Sequence, residues 1–520
     1  MAAPAERQIA RSASTVMAGF VLSSIFGLAN RMLYTRAFGS GQELDAFFAA
    51  NRLPDILFNL MAGGALASAF LPTFAALLAQ GDRTRAWQLA SGVGNLLVLA
   101  LALAAGLLGL AAPWVVANIL APGFHDPQQI ELTVSLLRVQ LVAPVIFGIS
   151  GLLMAILNAQ QHFLLPALAP TFHWLGWILG TLFLVPRLGI SGLAWGVLLG
   201  AALHLSVQLP GLRQVRPRYA ATLGLKDPSV RQVGRLMAPR LFGVAIVQLN
   251  FLVNLILASG MPEGSLTGIT LGFAIMLMPQ IVIAQAVAIA ALPTFSGQAA
   301  RGDWAEMRRS LASTLRGVIF LSLPASLGLI LLRVPLVAVL FQRGEFDANS
   351  TELVAWALLW YSTGLVGHAL VEIISRAFYA LKDTRTPVTV GAAAMGLNVV
   401  LSIGLSRLFL RLGWPPHGGL AFANSIATGL EAIALVWLIS RRLAGIEIPR
   451  IRPGLVASLL ATAAMGLGLV IWLVVTEGRP AWLVAMGGVG LGAAVYWLAS
   501  LGLRSPEARQ LPRMILSRRS

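Results

Sequence analysis

The sequence contains no cysteine in its 520 residues, which excludes disulfide bonds, thiol catalysis and cysteine metal sites. It is also poor in charge, since charged residues make up 11% of the chain against about 25% in ordinary soluble domains. Its six histidines lack a metal-binding spacing, and neither a Ser-His-Asp order nor a phosphate-binding glycine loop occurs. We therefore expect neither an enzyme nor a bound cofactor or metal.

The chain contains many long runs of apolar residues. Apolar residues make up 57% of the chain, and the mean hydropathy is +0.80. A run of about 18 apolar residues is long enough to cross the hydrocarbon layer, and the first run here, from Val16, is too long for a cleavable signal. We predict an all-α polytopic membrane protein with transmembrane helices at 14 places: 16–38, 43–78, 88–112, 130–158, 163–185, 189–212, 232–258, 266–297, 308–333, 351–381, 387–411, 417–440, 453–476 and 480–503. The longest runs are expected to tilt, or to break near Pro54, Pro144 or Pro279.

The net charge of +17 reflects membrane orientation rather than nucleic-acid binding. Of the 37 basic residues 35 are arginines, and most lie in short polar gaps between apolar runs. If the N-terminus is inside, the cytoplasmic segments hold 24 basic residues and the external segments about five. Because cytoplasmic loops are enriched in Lys and Arg, both termini are predicted to be cytoplasmic.

An internal repeat links the two halves of the chain. Leu71-Pro-Thr-Phe74 recurs 221 residues later as Leu292-Pro-Thr-Phe295, and Pro166 and Pro387 keep the same offset. Ordered matches at one spacing indicate duplication. Six spans separate the copies, which predicts parallel repeats related by an axis along the membrane normal and a cavity between the halves. The predicted domains are two six-helix bundles around this central cavity, followed by two additional helices with a basic cytoplasmic tail: 1–226, 227–446 and 447–520.

Short motifs carry a resemblance to a known family. They are, in chain order, Phe38-Gly39, Asp45-Ala-Phe-Phe48, Arg52-Leu-Pro54, Tyr361-Ser-Thr-Gly-Leu365, Arg376-Ala-Phe-Tyr-Ala380 and Asp383-Thr-Arg-Thr-Pro387. In this order they resemble the MurJ/MviN lipid II flippases, within the superfamily of multidrug, oligosaccharidyl-lipid and polysaccharide exporters. The resemblance covers about residues 12–445, and fourteen helices also fit this family.

The resemblance implies transport of undecaprenyl-diphosphate carrying a peptidoglycan precursor, by alternating access, across a bacterial cytoplasmic membrane. Such a head group cannot cross hydrocarbon unaided, because unpaired polar groups and charges are strongly penalised there. The implied partners are this lipid-linked glycan and the bilayer, with the cell-wall synthesis machinery as a further candidate. Nucleic acid is not expected.

The chain departs from the family at its arginines. The family usually places arginines in the first, second and eighth helices, and alignment on the motifs puts Ser24, Asn30, Phe58 and Ala274 at those positions. An acidic neighbour in the first helix becomes Arg31. These replacements keep other functions open: a flippase for another polyprenyl-diphosphate-linked glycan, a cation-coupled multidrug exporter, or a non-transporting scaffold of a cell-wall assembly complex.

Charged residues within predicted spans are the candidate site, because each is costly in hydrocarbon and usually faces a cavity or a partner. Asp45 and Arg52 share a face of the second span, and the guanidinium suits a diphosphate. Arg52 is otherwise an arginine that snorkels to the membrane surface. Arg31 is either a cavity cation or an interfacial anchor.

Four more candidates lie on later helices. Asn250 and Asn254, four residues apart on the seventh span, suit either sugar hydroxyls or interhelical hydrogen bonds. Glu372 and Arg376 have the spacing of an intrahelical ion pair, which fits a gating salt bridge or substrate contact. Glu431 and Asp45 are the candidate sites for Na⁺ or H⁺ coupling, and the membrane potential is the alternative driving force.

Overall fold

The computed structural model describes residues 4–62 and 65–508, and every regular element in these ranges is helical. Helices satisfy their own backbone hydrogen bonds, which hydrocarbon requires. The helices are α1 Pro4–Phe38, α2 Gln42–Ala62, α3 Ala65–Ala79, α4 Arg83–Leu110, α5 Ala112–Val115, α6 Pro127–Gln140, α7 Val142–Ala159, α8 Leu164–Leu179, α9 Val185–Leu188, α10 Ile190–Ser206, α11 Leu209–Gln214, α12 Pro228–Ser259, α13 Ser265–Gln280, α14 Ala286–Ala300, α15 Trp304–Phe341, α16 Ala348–Ser362, α17 Leu365–Ala380, α18 Arg385–Arg411, α19 His417–Arg442, α20 Ile448–Val475 and α21 Ala481–Gly502.

The described part of the chain forms two compact units. Unit 1 comprises the described residues up to Glu263 together with Arg343–Glu345, and unit 2 comprises Gly264–Gln342 and the described residues from Phe346 onward. The excursion of residues 343–345 into unit 1 is held by a hydrogen bond from Glu345 N to Arg36 O (3.0 Å). Gly344 is required there, because its φ is +62° and a Cβ would lie 2.4 Å from Arg36 O. The predicted division into two bundles and a two-helix extension stays a prediction.

The all-helical membrane architecture is confirmed, while the number of spans is only partly established. Among the described residues ten helices are long and apolar enough to cross a membrane, or up to eleven if α16 and α17, bent by 48°, form one span. The predicted count of 14 therefore stays a prediction. Of the expected break points, Pro144 lies in the first turn of α7, just after α6 ends, and Pro279 lies at the end of α13, just before a π-helical turn. At Pro54 the helix continues.

Local backbone geometry recurs at the 221-residue offset of the repeat. Asp82 and Asp303 cap α4 and α15 with nearly identical backbone angles, φ −85° and ψ 71° against φ −83° and ψ 72°. Each aspartate accepts a hydrogen bond from a backbone N–H of the first turn, which satisfies one of the free donors at a helix start. Gln161 and Lys382 share a left-handed φ, of 62° and 60°. These matches support duplication, and the axis relating the halves stays a prediction.

Small residues let α8 and α10 approach closely inside unit 1. A Cβ on Gly176 would lie 2.3 Å from the Cα of Gly200, and a Cβ on Gly180 would lie 2.3 Å from the Cα of Gly196. The glycine-x3-glycine pair Gly176 and Gly180 therefore packs against the pair Gly196 and Gly200 of α10. This close approach fixes the positions of the side chains that α8 carries.

We predict that single cysteines will label from opposite sides of the membrane in this cysteine-free chain. Lys226 precedes α12 and Asn349 lies in the first turn of α16, and both are exposed, whereas the neighbouring Ser350 is buried at 4% exposure. The charge bias puts Lys226 inside and Asn349 outside. An impermeant maleimide should label Asn349→Cys in intact cells and Lys226→Cys only after permeabilisation. The reverse pattern would overturn the topology.

Candidate functional site

Arg52, on α2, is tied to α12 within unit 1. Its Nη2 donates to the side-chain Oε1 of Gln248 at 2.6 Å and to the Gln248 backbone oxygen at 3.2 Å. The guanidinium carbon lies 5.0 Å from the ring centre of Phe251, in cation–π range. Asp55, three residues along α2, is the acidic residue whose charge acts on Arg52. Arg52 is therefore tied to α12 by two hydrogen bonds and a cation–π contact.

One hydrogen-bond donor of the Arg52 guanidinium is not used by the described part of the protein. Its Nε atom is buried and has no hydrogen-bond partner in the described structure. Since an unmade hydrogen bond at a buried donor costs free energy, this atom is suited to an anionic ligand that would enter beside α2. Gln248 is neutral, so its hydrogen bonds do not cancel the positive charge of Arg52, which acts on Asp55 and would act on such a ligand.

Asp45 lies elsewhere on α2, in a small polar pocket of unit 1. The side chain is 4% exposed, and the pocket has a volume of about 220 Å³. The backbone of Gln42 connects two sides of this pocket. Its N–H donates to Glu263 Oε1 at 3.0 Å, and its carbonyl oxygen accepts from Gln129 Nε2 at 3.3 Å. Asp45 and Arg52 were predicted from their shared helix face to act together. In the structure Gln248 accepts the hydrogen bonds from Arg52, and a joint role of Asp45 and Arg52 stays a prediction.

The four positions where the resemblance implies arginines differ in burial and in their contacts. Asn30 is fully buried, and neither its Oδ1 nor its Nδ2 has a hydrogen-bond partner. Ser24 is exposed and Ala274 is half-buried. Phe58 lies against Phe147 with ring centres 4.6 Å apart. Two of these four positions therefore hold an amide without hydrogen-bond partners among the described residues, Asn30, and an aromatic ring packed on another, Phe58.

Two histidines adjoin Phe147, the partner of Phe58, and the sequence alone did not single them out. Phe147 lies 5.0 Å from the ring of His173 on α8 and 5.3 Å from that of His204 on α10. His204 Nδ1 is 2.6 Å from Ser150 Oγ, which also accepts from Gln208 Nε2 at 2.7 Å. The available signal was the pair of glycine faces, because they force α8 and α10 together.

Arg31 and the two asparagines are also placed within unit 1. The Arg31 guanidinium lies 5.8 Å from the ring centre of Trp174 on α8. This tryptophan also packs on Gly27, one turn earlier in α1, where a Cβ would lie 3.1 Å from the indole. Asn250 and Asn254 are buried on α12, at 7% and 6% exposure, on the helix that holds Arg52.

Unit 2 contains a second polar group of residues on α17 and α19. Glu372 and Arg376 form the expected ion pair, with 2.6 Å between Oε1 and Nη2. The ring of Tyr379 lies 5.7 Å from the Arg376 guanidinium carbon, and Glu431 is within electrostatic range of the same tyrosine. Gly391 leaves room for Glu431, because a Cβ there would lie 3.2 Å from its Oε1. The structure thus brings Glu431 near the ion pair, although the sequence offered it no partner.

Two solved membrane-transporter structures share the fold of this chain. The solved structure of "Lipid II flippase MurJ, inward closed conformation" aligns with a TM-score of 0.80 and 23% identity, covering 93% of this chain and 97% of that one. An inward-facing multidrug resistance MATE family transporter of the MOP superfamily aligns with a TM-score of 0.64 and 17% identity, covering 81% and 94%. The chain therefore has the fold of these polytopic membrane transporters.

Sequence similarity identifies the family within this class. The family described as "Lipid II flippase MurJ" matches residues 34–486. The lipid II flippase MurJ of Burkholderia cenocepacia is 33% identical over 433 residues, which cover 82% of each chain. The probable lipid II flippase MurJ of Vibrio cholerae is 32% identical over 529 aligned residues, covering 97% of this chain and 98% of the relative. The chain belongs to the lipid II flippase MurJ family, and the resemblance seen in the motifs is confirmed.

We predict that Arg52 and Gln248 are energetically coupled. Arg52→Leu and Gln248→Leu should each lower the melting temperature in detergent, because each leaves a polar partner unpaired. The double variant should lose less than the sum, since a hydrogen bond to a charged group contributes about 1.5–3 kcal/mol. Arg411→Leu, at the exposed end of α18, should be additive with Gln248→Leu. If the losses in melting temperature of Arg52→Leu and Gln248→Leu were also additive, the coupling would be contradicted.

Proposed function

We propose that this protein translocates lipid II, the undecaprenyl-diphosphate-linked peptidoglycan precursor, from the inner to the outer leaflet of the bacterial cytoplasmic membrane. Membership of the MurJ family supports the substrate. The observation that carries the chemistry is Arg52, whose charge is held between two helices while its Nε remains without a partner. A diphosphate offers the several acceptor oxygens that such a guanidinium binds best.

The proposed mechanism is alternating access between two six-helix bundles, in a protein of 14 spans with both termini cytoplasmic. The sugar–peptide and the diphosphate enter a polar cavity, because leaving their polar groups unpaired in hydrocarbon is strongly unfavourable. The undecaprenyl chain needs no such shelter and remains in the bilayer at a gap between helices. Arg52, Arg31, Asn250 and Asn254 are the proposed head-group contacts, and Glu372 and Arg376 the proposed gating pair.

The proposed driving force is an ion gradient or the membrane potential. Glu431 and Asp45 are the acids proposed to take up H⁺ or Na⁺, because both are carboxylates of limited exposure. The membrane potential alone supplies about 2.3 kcal/mol per elementary charge per 100 mV, enough to bias the passage of an anionic head group. Either source needs no nucleotide.

A second candidate substrate is another polyprenyl-diphosphate-linked glycan. It is favoured by Ser24, Asn30, Phe58 and Ala274, which stand where the family usually has arginines. Both candidates share the diphosphate and differ in the sugar–peptide part. A cation-coupled drug exporter and a cell-wall scaffold remain weaker proposals, since neither needs a cation such as Arg52 inside the bundle.

We predict that this chain will support growth of a bacterium depleted of its own lipid II flippase. Expression should restore viability and cell shape, because a lipid II flippase replaces the missing step directly. Colony counts during depletion measure the effect, and membrane abundance of an epitope-tagged chain provides the control. Lysis despite normal abundance would favour the other glycan or the scaffold.

We predict that Arg52→Ala will abolish this rescue at normal membrane abundance, because the proposed diphosphate ligand is removed. Arg52→Lys should retain part of the activity, since the charge survives without the two-pronged donor geometry. Gln248→Leu is the matched control: it breaks the same helix contact but leaves the guanidinium, and should therefore still rescue. If Gln248→Leu failed as completely as Arg52→Ala, the arginine would serve as a helix tie rather than as a ligand.

A further inference from the structure

A cavity of unit 1 lies between α4 and α7, apart from Arg52 and its partners. Its volume is about 400 Å³, within the range of small-ligand sites. The walls are almost wholly apolar and include Gly94 and Val98 of α4 and Ile149, Leu152 and Ile156 of α7. Gly94 lets Leu152 of α7 pack closely against α4 at the cavity wall, because a Cβ there would lie 2.9 Å from Leu152 Cδ2.

The rim of this cavity is a polar segment that is fixed to α4. Asn95 Nδ2 donates to the carbonyl oxygen of Thr222 at 2.8 Å, and Ala220 N donates to Ser91 Oγ at 3.0 Å. Tyr219, 75% exposed, donates from its hydroxyl to Asn95 Oδ1 at 3.2 Å. These bonds place the exposed Arg218 at the edge of an apolar cavity.

Charge at the rim is strongly one-sided. The segment from residue 213 to 235 carries six basic residues, Arg213, Arg216, Arg218, Lys226, Arg231 and Arg235, and one acidic residue, Asp227. Asp227 caps α12 by accepting from Ser229 N at 2.8 Å. Outward along α4, Leu99, Leu103 and Leu107 are exposed at 54–60%, as expected of a lipid-facing helix surface.

We propose that this cavity binds an anionic phospholipid, with an acyl chain between α4 and α7 and the phosphate at Arg218. Basic pockets between membrane helices on the cytoplasmic side bind anionic head groups, and the predicted topology puts this rim on that side. The cavity takes the apolar chain, and the surplus of positive charge selects the head group. Because the bound lipid bridges α4, α7 and the 213–227 segment, it stabilises their packing.

The test is photo-crosslinking of the full chain in phosphatidylcholine nanodiscs. One set contains a minority of phosphatidylglycerol with a diazirine in its acyl chain, and a parallel set contains the same probe as phosphatidylcholine. Mass spectrometry should find labelled peptides covering 87–98 and 149–156, with more label from the anionic probe. Equal labelling by both probes would overturn the head-group assignment.

Two matched pairs of variants locate the site. Arg218→Gln should reduce labelling by the anionic probe about fivefold, the effect of one basic residue near an anionic lipid. Arg213→Gln removes the same charge from an arginine outside the cavity lining and should change labelling less. Val98→Trp should fill the cavity and block both probes, whereas Leu103→Trp, on the exposed face of α4, should not. If the two variants of either pair lost labelling equally, the proposed location of the lipid site would be overturned.

Discussion

The absence of water inside a bilayer is the constraint on which this structure depends. Each polar group within the hydrocarbon needs a partner from the protein, so the chain folds into helices and its few buried charges are held by neighbours. The contact between Arg52 and Gln248 meets this demand without cancelling the arginine's charge. A transporter of anionic lipid needs such an arrangement, because a cation already paired with an acidic side chain would gain little free energy on binding an anionic substrate.

The sequence predicted the helical membrane class and the family, since both rest on local signals, the apolar runs and the short motifs. It did not predict the 48° bend between α16 and α17. Our expected breaks were tied to proline, whereas this bend falls at Gly364, where a Cβ would clash with Ser425 at 2.6 Å. A bend that depends on packing against another helix cannot be predicted from the local sequence of the bent segment alone.

Long-range contacts limited the prediction of the site. Arg52 was identified from its charge within a span, but its partner Gln248 is 196 residues away, and nothing local links the two. His173 and His204 meet Phe147 only because the glycines of α8 and α10 allow close packing. The Glu372–Arg376 pair was found because both residues lie on one helix. Local pairs are therefore predictable from spacing, and pairs between helices are not.

The central claim is that this chain moves a diphosphate-linked peptidoglycan precursor with Ser24, Asn30, Phe58 and Ala274 at the positions where the resemblance implies arginines. Its most direct test uses the purified chain in lipid vesicles with lipid II in one arm and a different undecaprenyl-diphosphate glycan in the other. An impermeant reagent that modifies head groups in the outer leaflet reports the accessible fraction over time. The account predicts that lipid II becomes almost fully accessible only in vesicles that contain the protein. Protein-dependent movement of the other glycan, with lipid II unchanged from protein-free vesicles, would contradict it.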